Sequence, residues 1–374
     1  AEYLKERNLG RGGSVDLKRI NSILRRRGKR KVELNKYELL VANDLIDPAD
    51  IDVSFDSIGG LRAQKDNIRS ILIDPLHHPA LYASRGSVVG APKGVMFYGP
   101  PGTGKTMMAK AIAKECGACF INLRLSTVQD KWFGESVRVA RAAFTLARKL
   151  APCIIFIDEM EIFLHNRSSG SSSSEANGHI KAEFLTEWDG LLTDAKRSED
   201  DGFGVVVVGA TNRPSDVDDA FLRRMPSKYC MSLPTCEERE EILKSLLRQQ
   251  VGSTNLGHVA AETKGYSGSD LQELCRVASL FGIRETIEAR RHGQPQNDQV
   301  RPLNTEDFNR ALKEVRSTQS ASAEFRQRQH AADAMHQGAN DSYNGDGLDL
   351  EAVYRALVAA SHRRSGPVDA EPLD

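Results

Sequence analysis

Hydrophobic and polar positions follow different periods in different parts of the chain. From residue 56 to 233, short apolar runs alternate with stretches in which apolar residues recur every three or four positions. The runs, VMFYG, FINL, CIIFID and VVVVGAT, are nearly all apolar, which is typical of parallel strands buried on both faces. The helical period predicts helices over 105–116, 135–149 and 179–192. This alternation predicts an α/β fold in which helices flank a parallel sheet.

The residues on either side follow other patterns. In residues 234–316, three segments have helical period and together predict a small helical domain: CEEREEILKSLLRQQ, SGSDLQELCRVASLFGIRETIEARR and TEDFNRALKEVR. Before them, NKYELLVANDLIDP predicts a helix that ends at Pro48. The end of the chain is rich in Ser, Gln, Ala, Asn and Gly and is predicted to be flexible, although DLEAVYRALVAASHRR could form one helix. The predicted domains are 1–53, 54–233, 234–316 and 317–374.

Composition and charge exclude few functions. The 51 basic and 51 acidic residues balance, so net charge indicates no partner, and we do not expect nucleic acid to be one. Eight Lys or Arg and no acid lie within 18–31, a segment that is either a solvated helical face or a basic stretch beside a membrane. The longest apolar runs are far too short to span a bilayer.

Cysteine spacing gives a weak signal for metal binding. Cys116 and Cys119 form a CxxC, but no second CxxC exists in the sequence to complete a zinc site. We therefore interpret both as small buried residues near a helix end, in a protein of a reducing compartment.

The segment GPPGTGKT follows the strand VMFY and fits the phosphate-binding pattern GxxxxGK[ST]. Glycines let backbone N–H groups surround phosphates at a helix N-terminus. Lys105 is expected to reach the β and γ phosphates of ATP, and Thr106 to ligate Mg²⁺. The residues expected to hold the nucleotide here are Gly99, Pro100, Pro101, Gly102, Thr103, Gly104, Lys105, Thr106 and Met107.

Polar residues end the strands that follow. A carboxylate at the tip of a buried strand is costly unless it serves a cation, so we expect Asp158 to order Mg²⁺ and Glu159 to polarise the attacking water. The two acids together favour hydrolysis over binding alone. Asn212 could orient the same water or simply form a turn. Arg223 and Arg224 are either a solvated pair or arginines supplied to a phosphoryl group outside their own pocket.

These motifs resemble those of AAA+ ATPases over residues 54–316. SFDSIGGL resembles the opening of the AAA module, which implies that Ile58 and Gly59 lie near adenine. GYSGSDL resembles the small-domain stretch that closes over the nucleotide, which implies contacts from Gly268 and Ser269.

The same resemblance implies an assembly. Asn212 corresponds to sensor 1, and Arg223 and Arg224 correspond to arginine fingers that act on the ATP of a neighbouring subunit. Such active sites lie between the subunits of a ring, typically a homo-hexamer.

The segment KWFGES places two large aromatic side chains in a polar, turn-like setting. In AAA+ motors the corresponding loop faces a central channel and grips an unfolded polypeptide, which implies a substrate-binding pore loop made of Lys131, Trp132, Phe133 and Gly134. An aromatic pair buried under a surface loop is the alternative. The serine-rich stretch 167–178 is predicted to be flexible and falls where a second pore loop is expected.

The motifs FINLRLSTVQDKWFGES, KAEFLTEWDGL and GATNRPSDVDDAFLRRMP resemble the meiotic clade of AAA+ proteins. Within that clade they resemble the outer-mitochondrial-membrane extractases, the branch of thorase and its fungal counterpart. Two residues depart from the pattern of this branch: Phe133 replaces a tyrosine and Glu161 replaces an aspartate.

The resemblance implies an ATP-driven translocase that extracts mislocalised tail-anchored proteins from the outer mitochondrial membrane, and from the peroxisomal membrane as a second location. An anchor that is not part of this chain would hold it on the cytosolic face. The rival hypotheses are a microtubule-severing or ESCRT-disassembling remodeller, a nucleotide-gated binding module without turnover, and a DNA motor.

Overall fold

The computed structural model describes residues 17–26, 33–78, 81–82, 92–123, 135–163, 173–194, 204–247, 254–292 and 300–318. The predicted pore loop, with Lys131, Trp132, Phe133 and Gly134, lies outside the described residues. Residues 167–172 of the serine-rich stretch and the tail from 319 onward lie outside them as well.

One sheet organises the predicted α/β region. Within the described residues it has six strands in the order β1-β3-β4-β5-β2-β6, and β1 alone among them runs antiparallel to its neighbour. The predicted α/β fold is confirmed. The strands are Leu45–Ile46 (β1), Gly94–Tyr98 (β2), Cys119–Asn122 (β3), Cys153–Ile157 (β4), Val205–Thr211 (β5) and Ser227–Cys230 (β6).

Helices cover both faces of this sheet. Alternate side chains of a strand point to opposite faces, so Ile155 packs in one apolar cluster with Phe144 and Trp188, whereas Ile154 packs in the other with Phe97. Burial on both faces explains why the strands are apolar without alternation. The helices of this part are Leu17–Arg26 (α1), Lys36–Val41 (α2), Arg62–Ile68 (α3), Asp74–His77 (α4), Lys105–Glu115 (α5), Glu135–Leu150 (α6), Ser173–Asp194 (α7) and Asp219–Arg224 (α8).

A separate apolar cluster, with Leu274 and Phe308 fully buried, forms the core of the helical region that follows β6. A charged network lies beside it, in which Arg301 binds the buried carboxylate of Asp307 and also pairs with Glu285. We call this region the lid. Its helices are Cys236–Leu247 (α9), Leu256–Glu262 (α10), Gly268–Arg291 (α11) and Thr305–Glu314 (α12).

The prediction of a helix that ends at Pro48 is wrong beyond Val41. Helix α2 ends there, a single 3₁₀ turn follows, and Leu45 and Ile46 form a strand that pairs with Ile121 and Phe120. A two-residue edge strand is too short to show the alternation of a strand, so the apolar spacing around it predicts a helix instead. Because β1 lies in the segment assigned to the N-terminal domain, the sheet extends across the boundary predicted at residue 53.

Two further helices differ from the prediction. Helix α7 begins at Ser173, inside the stretch predicted to be flexible. Helix α10 was missed because it has only seven residues. In the described part of the chain, no helix combines the length and apolarity that crossing a bilayer needs.

Candidate functional site

The ends of three neighbouring strands bring the predicted phosphate-side residues together. Strand β5 pairs with β2 on one side and β4 on the other, with Tyr98 opposite Thr211 and Ile157 opposite Gly209. The segments that continue β2, β4 and β5 therefore leave the same edge of the sheet side by side. These segments are the phosphate-binding loop, the acidic pair and Asn212.

The phosphate-binding loop is shaped by its glycines. Gly102 and Gly104 have φ of +74° and +91°, values that L side chains rarely adopt, so a substitution at either would strain the loop. At Gly102 an added Cβ would also lie 2.5 Å from Ser267 Oγ of the lid. Helix α5 starts directly after Gly104, so its first N–H groups face the loop. This arrangement suits a phosphate.

Lys105 is held inside this loop. Its ammonium group donates hydrogen bonds to the carbonyl oxygens of Gly99 and Pro100, at 2.9 and 2.6 Å. Burial lowers the pKa of Lys105, and the charges of Asp158 and Glu161 oppose that effect. The lysine therefore lies within electrostatic reach of the acids that follow β4. Met107, predicted as a nucleotide contact, is exposed in the first turn of α5.

A hydroxyl and a carboxylate converge beside Lys105. Thr106 Oγ1 donates to Asp158 Oδ2 at 3.0 Å, which brings together two oxygen ligands predicted for Mg²⁺. Oxygen ligands of this kind, few and exposed to solvent, fit a cation that keeps most of its water. The residues present therefore fit Mg²⁺.

Glu159 follows Asp158 in a constrained conformation. Its φ of +49° is uncommon for a residue with a side chain, and its N–H donates to Asp158 Oδ1 at 3.0 Å. The next residue, Met160, is buried against Gly209, where an added Cβ would lie 2.0 Å from the methionine sulfur. Met160 thus fixes the turn to β5, while the Glu159 carboxylate stays exposed to solvent. Backbone strain at an exposed carboxylate residue is consistent with a geometry imposed by the surrounding structure.

Asn212 is exposed immediately after β5 and is linked to the acidic turn through Glu161. Its backbone N–H donates to Glu161 Oε1 at 3.4 Å. The other oxygen, Oε2, is buried without a hydrogen-bond partner among the described residues. The glutamate that replaces the usual aspartate therefore reaches the strand that carries Asn212.

The two predicted arginine fingers differ in their surroundings. Arg224 makes a bidentate interaction with Asp189 of α7, with nitrogen–oxygen distances of 2.7 and 2.6 Å, and it also donates to the Ala220 carbonyl. The hydrogen bonds from Arg224 lower the pKa of Asp189. Arg223 is exposed and has no hydrogen bond or ion pair with the described residues. Of the pair, Arg223 is available to another molecule.

The remaining predicted residues lie where the lid meets the rest of the site. Ser269 donates its N–H to the Gly102 carbonyl at 3.2 Å, and an added Cβ at Gly268 would lie 3.2 Å from the same oxygen. Gly59 packs against the backbone of Ile242 in α9. Ile58 is buried. The lid therefore contacts both the phosphate-binding loop and the 57–61 loop.

Comparison with known proteins agrees with this arrangement. Residues 95–233 match the ATPase family associated with various cellular activities (AAA), and residues 253–295 match the AAA+ lid domain. The outer mitochondrial transmembrane helix translocase of Homo sapiens is 42% identical over 306 residues, which cover 81% of this chain and 82% of that protein. The chain belongs to the AAA family. It is an ATPase of the outer mitochondrial transmembrane helix translocase type.

Other relatives support the same assignment. The Mitochondrial sorting homolog of Caenorhabditis elegans is 39% identical over 285 residues, or 76% of this chain and 79% of that protein. Among solved structures, the FIGL-1 AAA domain in complex with ADP has a TM-score of 0.63 at 31% identity, covering 77% of this chain and 94% of that one. A structure described as the basis for katanin self-assembly has a TM-score of 0.60 at 27% identity, with the same coverage. The predicted AAA+ fold, ATPase activity and meiotic clade are confirmed.

Sequence reasoning missed several residues that support the site. The only sequence signal for Asp189 is that it is an acid within EWDGL, which would need a cation if buried. Glu161 differs from the pattern of its branch, but the sequence alone gives it no role. Glu238 and Glu241 of α9, which bind the 57–61 loop, looked like ordinary solvated helix residues.

Proposed function

We propose that this ATPase works as a hexameric motor that extracts mislocalised tail-anchored proteins from the outer mitochondrial membrane. The observation that carries the proposal is the 42% identity to outer mitochondrial transmembrane helix translocases over 81% of the chain. By analogy, the protein acts on the cytosolic face of that membrane, and the peroxisomal membrane is a second location.

The site residues take definite roles in this proposal. Bound Mg²⁺ would neutralise developing charge on the phosphates, with Thr106 and Asp158 as its protein ligands. Lys105 binds the phosphate oxygens, and the exposed carboxylate of Glu159 takes a proton from the attacking water. Asn212 orients that water. The short distance between Thr106 and Asp158 supports this division of roles.

The exposure of Arg223 supports active sites that are completed by a neighbouring subunit. Its charge has no hydrogen-bonding or ion-pairing partner among the described residues, whereas Arg224 is bound within its own chain. We assign Arg223 as the residue that contacts the neighbour's ATP and Arg224 as its support. A closed ring of six subunits would give every site such an arginine.

The pore loop is tested by removing its aromatic side chains. In the Trp132→Ala/Phe133→Ala variant, extraction of a tail-anchored protein from liposomes should fall at least about tenfold, because the loop loses the apolar contact area that grips the chain. ATP hydrolysis should stay within about twofold of wild type, since the site residues are intact. Both activities are measured with the protein tethered to the liposomes by its amino terminus.

The matched control is Ile283→Ala/Ile287→Ala, which removes two exposed apolar side chains from α11 of the lid. This control should extract normally. Normal extraction by the Trp132→Ala/Phe133→Ala variant would show that the loop does not grip substrate.

Filament severing is the second candidate, favoured by the structural match to katanin. The two functions share the ATPase residues, so only the substrate separates them. Severing of microtubules by the wild type, together with no extraction from liposomes, would favour this candidate.

A further inference from the structure

The backbone of the 57–61 loop has an unusual conformation where it enters α3. Gly60 and Leu61 have φ of +71° and +56°, and for a leucine such a value is rare and unfavourable. Helix α3 begins at the next residue. Its N-cap residue is Leu61, whose apolar side chain cannot accept a hydrogen bond. The two consecutive N–H groups therefore need acceptors from elsewhere.

The acceptors are two carboxylates of the lid. Glu241 Oε2 accepts the Gly60 N–H at 3.1 Å, and Glu238 Oε1 accepts the Leu61 N–H at 2.9 Å. These glutamates follow their partners in the chain by 181 and 177 residues. Arg62 also forms an ion pair with Glu241. The N–H groups of the two residues that lead into α3 are thus bound by α9, through charge-assisted hydrogen bonds.

The rest of the loop is fitted to the same helix. An added Cβ at Gly59 would lie 2.7 Å from the backbone nitrogen of Ile242, so the loop and α9 are in direct backbone contact. Ser245 Oγ donates to the Ser57 carbonyl at 3.1 Å, one turn further along α9. Both ends of the loop are therefore bound to one face of α9.

We propose that Glu238 and Glu241 are positioning residues for the nucleotide base. By binding the N–H groups of Gly60 and Leu61, they fix the backbone of the preceding Ile58 and Gly59. This inference rests on the proposed contact of Ile58 and Gly59 with adenine. Its consequence is that affinity for the base depends on α9 of the lid, whereas affinity for the phosphates depends on the sheet.

Binding of MgADP and of Mg-pyrophosphate, each measured by calorimetry, separates the two dependences. In Glu241→Ala the Kd for ADP should rise about tenfold, the order expected for loss of one charge-assisted hydrogen bond. The Kd for pyrophosphate, which has no base, should not change. A general loss of structure would weaken both ligands together.

Conservative and matched variants complete the test. Glu241→Gln keeps an oxygen that can accept the Gly60 N–H, so it should bring the Kd for ADP back to within about threefold of wild type. Glu240→Ala removes a neighbouring acid that pairs only with Lys244 among the described residues, and it should bind both ligands normally. Glu238→Ala is less clean, because Glu238 Oε2 also accepts the Thr235 N–H and caps α9 itself.

Two outcomes would overturn the inference: an unchanged Kd for ADP in Glu241→Ala, or equal weakening of ADP and pyrophosphate. A parallel Ile58→Ala variant distinguishes this failure from failure of the assumed adenine contact. If Ile58→Ala weakens ADP while Glu241→Ala does not, adenine contacts the loop but α9 does not position it. If neither variant weakens ADP, the adenine contact itself is wrong and the inference falls with it.

Discussion

The phosphate side and the base side of the proposed nucleotide site are built by different forces. On the phosphate side, the functional segments continue strands that are buried except at Tyr98. Lys105 bonds to the loop that precedes it after β2, and Thr106 bonds to Asp158, which follows β4. On the base side, the 57–61 loop is held by half-exposed carboxylates of another region. The first depends on apolar burial in the sheet, and the second depends on hydrogen bonds between the lid and the loop.

This difference predicts which substitutions should change hydrolysis and which should change nucleotide affinity. A buried parallel sheet moves little, so the side chains that follow its strands are held mainly by the sheet. The hydrogen-bonded contact can open at lower cost, because its partners are near water. Substitutions on the phosphate side should therefore change turnover, and substitutions that weaken the lid should change affinity.

The largest expected effect tests the phosphate side. Glu159→Gln should lower the ATPase rate at least about a hundredfold, because the amide cannot accept the proton of the attacking water. Its affinity for ADP should be unchanged, since Lys105 and Thr106 remain in place. The measurement is the ATPase rate against protein concentration, with ADP binding measured by calorimetry.

Wild type should show a specific rate that rises steeply with protein concentration, as sites between subunits require. Glu115→Gln, the same chemical change at the exposed end of α5, is the control and should behave as wild type. A Glu159→Gln rate close to that of the control would mean that another group is the base.

The next effect concerns Arg223, which has no intramolecular partner among the described residues. Arg223→Ala should lower the ATPase rate by about a hundredfold or more, because the transition-state charge loses its external arginine. Mixing it with Glu159→Gln subunits should restore part of the activity. In such a mixture, an intact Arg223 can contact the ATP of a subunit with an intact Glu159.

Arg224→Ala should behave differently, because this arginine binds Asp189 and the Ala220 carbonyl in its own chain. Its main expected result is a lower thermal unfolding temperature, since α7 and α8 lose their bidentate contact. Mixing that restores nothing, with both variants still assembling, would contradict an arginine supplied by the neighbour.

The same division explains what the sequence could predict. The phosphate-binding loop and Asp158 were identifiable because each pattern lies within a few residues of a strongly apolar strand. The hydrogen bonds of the Gly60 and Leu61 N–H groups could not be predicted, because their acceptors come 181 and 177 residues later. Those acceptors belong to an acidic helix that resembles an ordinary solvated helix. Strand β1 was missed because pairing with β3, rather than local periodicity, makes it a strand.

The smallest expected effect tests whether the stability of the lid depends on its charges. Arg301 binds the carboxylate of Asp307, which is 1% exposed, at 2.6 and 2.7 Å. Hydrogen bonds from Arg301 lower the pKa of Asp307. Arg301→Gln leaves that carboxylate without its cation and should destabilise α12 by about 1–3 kcal/mol at pH 7. This is less than the roughly 3–5 kcal/mol for breaking a fully buried pair, because the arginine is part-exposed.

The effect should depend on pH in a defined direction. A carboxyl group whose pKa is lower in the folded state stabilises that state above its unfolded pKa, about 4, and the stabilisation is lost as the pH falls further. The difference in stability between wild type and Arg301→Gln should therefore be constant from pH 7 to about 5 and shrink below about pH 4.

Amide hydrogen exchange of α12, corrected for its intrinsic pH dependence, measures this difference in stability locally. Arg276→Gln, which breaks an exposed pair with Glu273 on α11, should change the exchange of α12 little. A difference that persisted unchanged to pH 3 would mean that Arg301 stabilises α12 through packing and not through its charge.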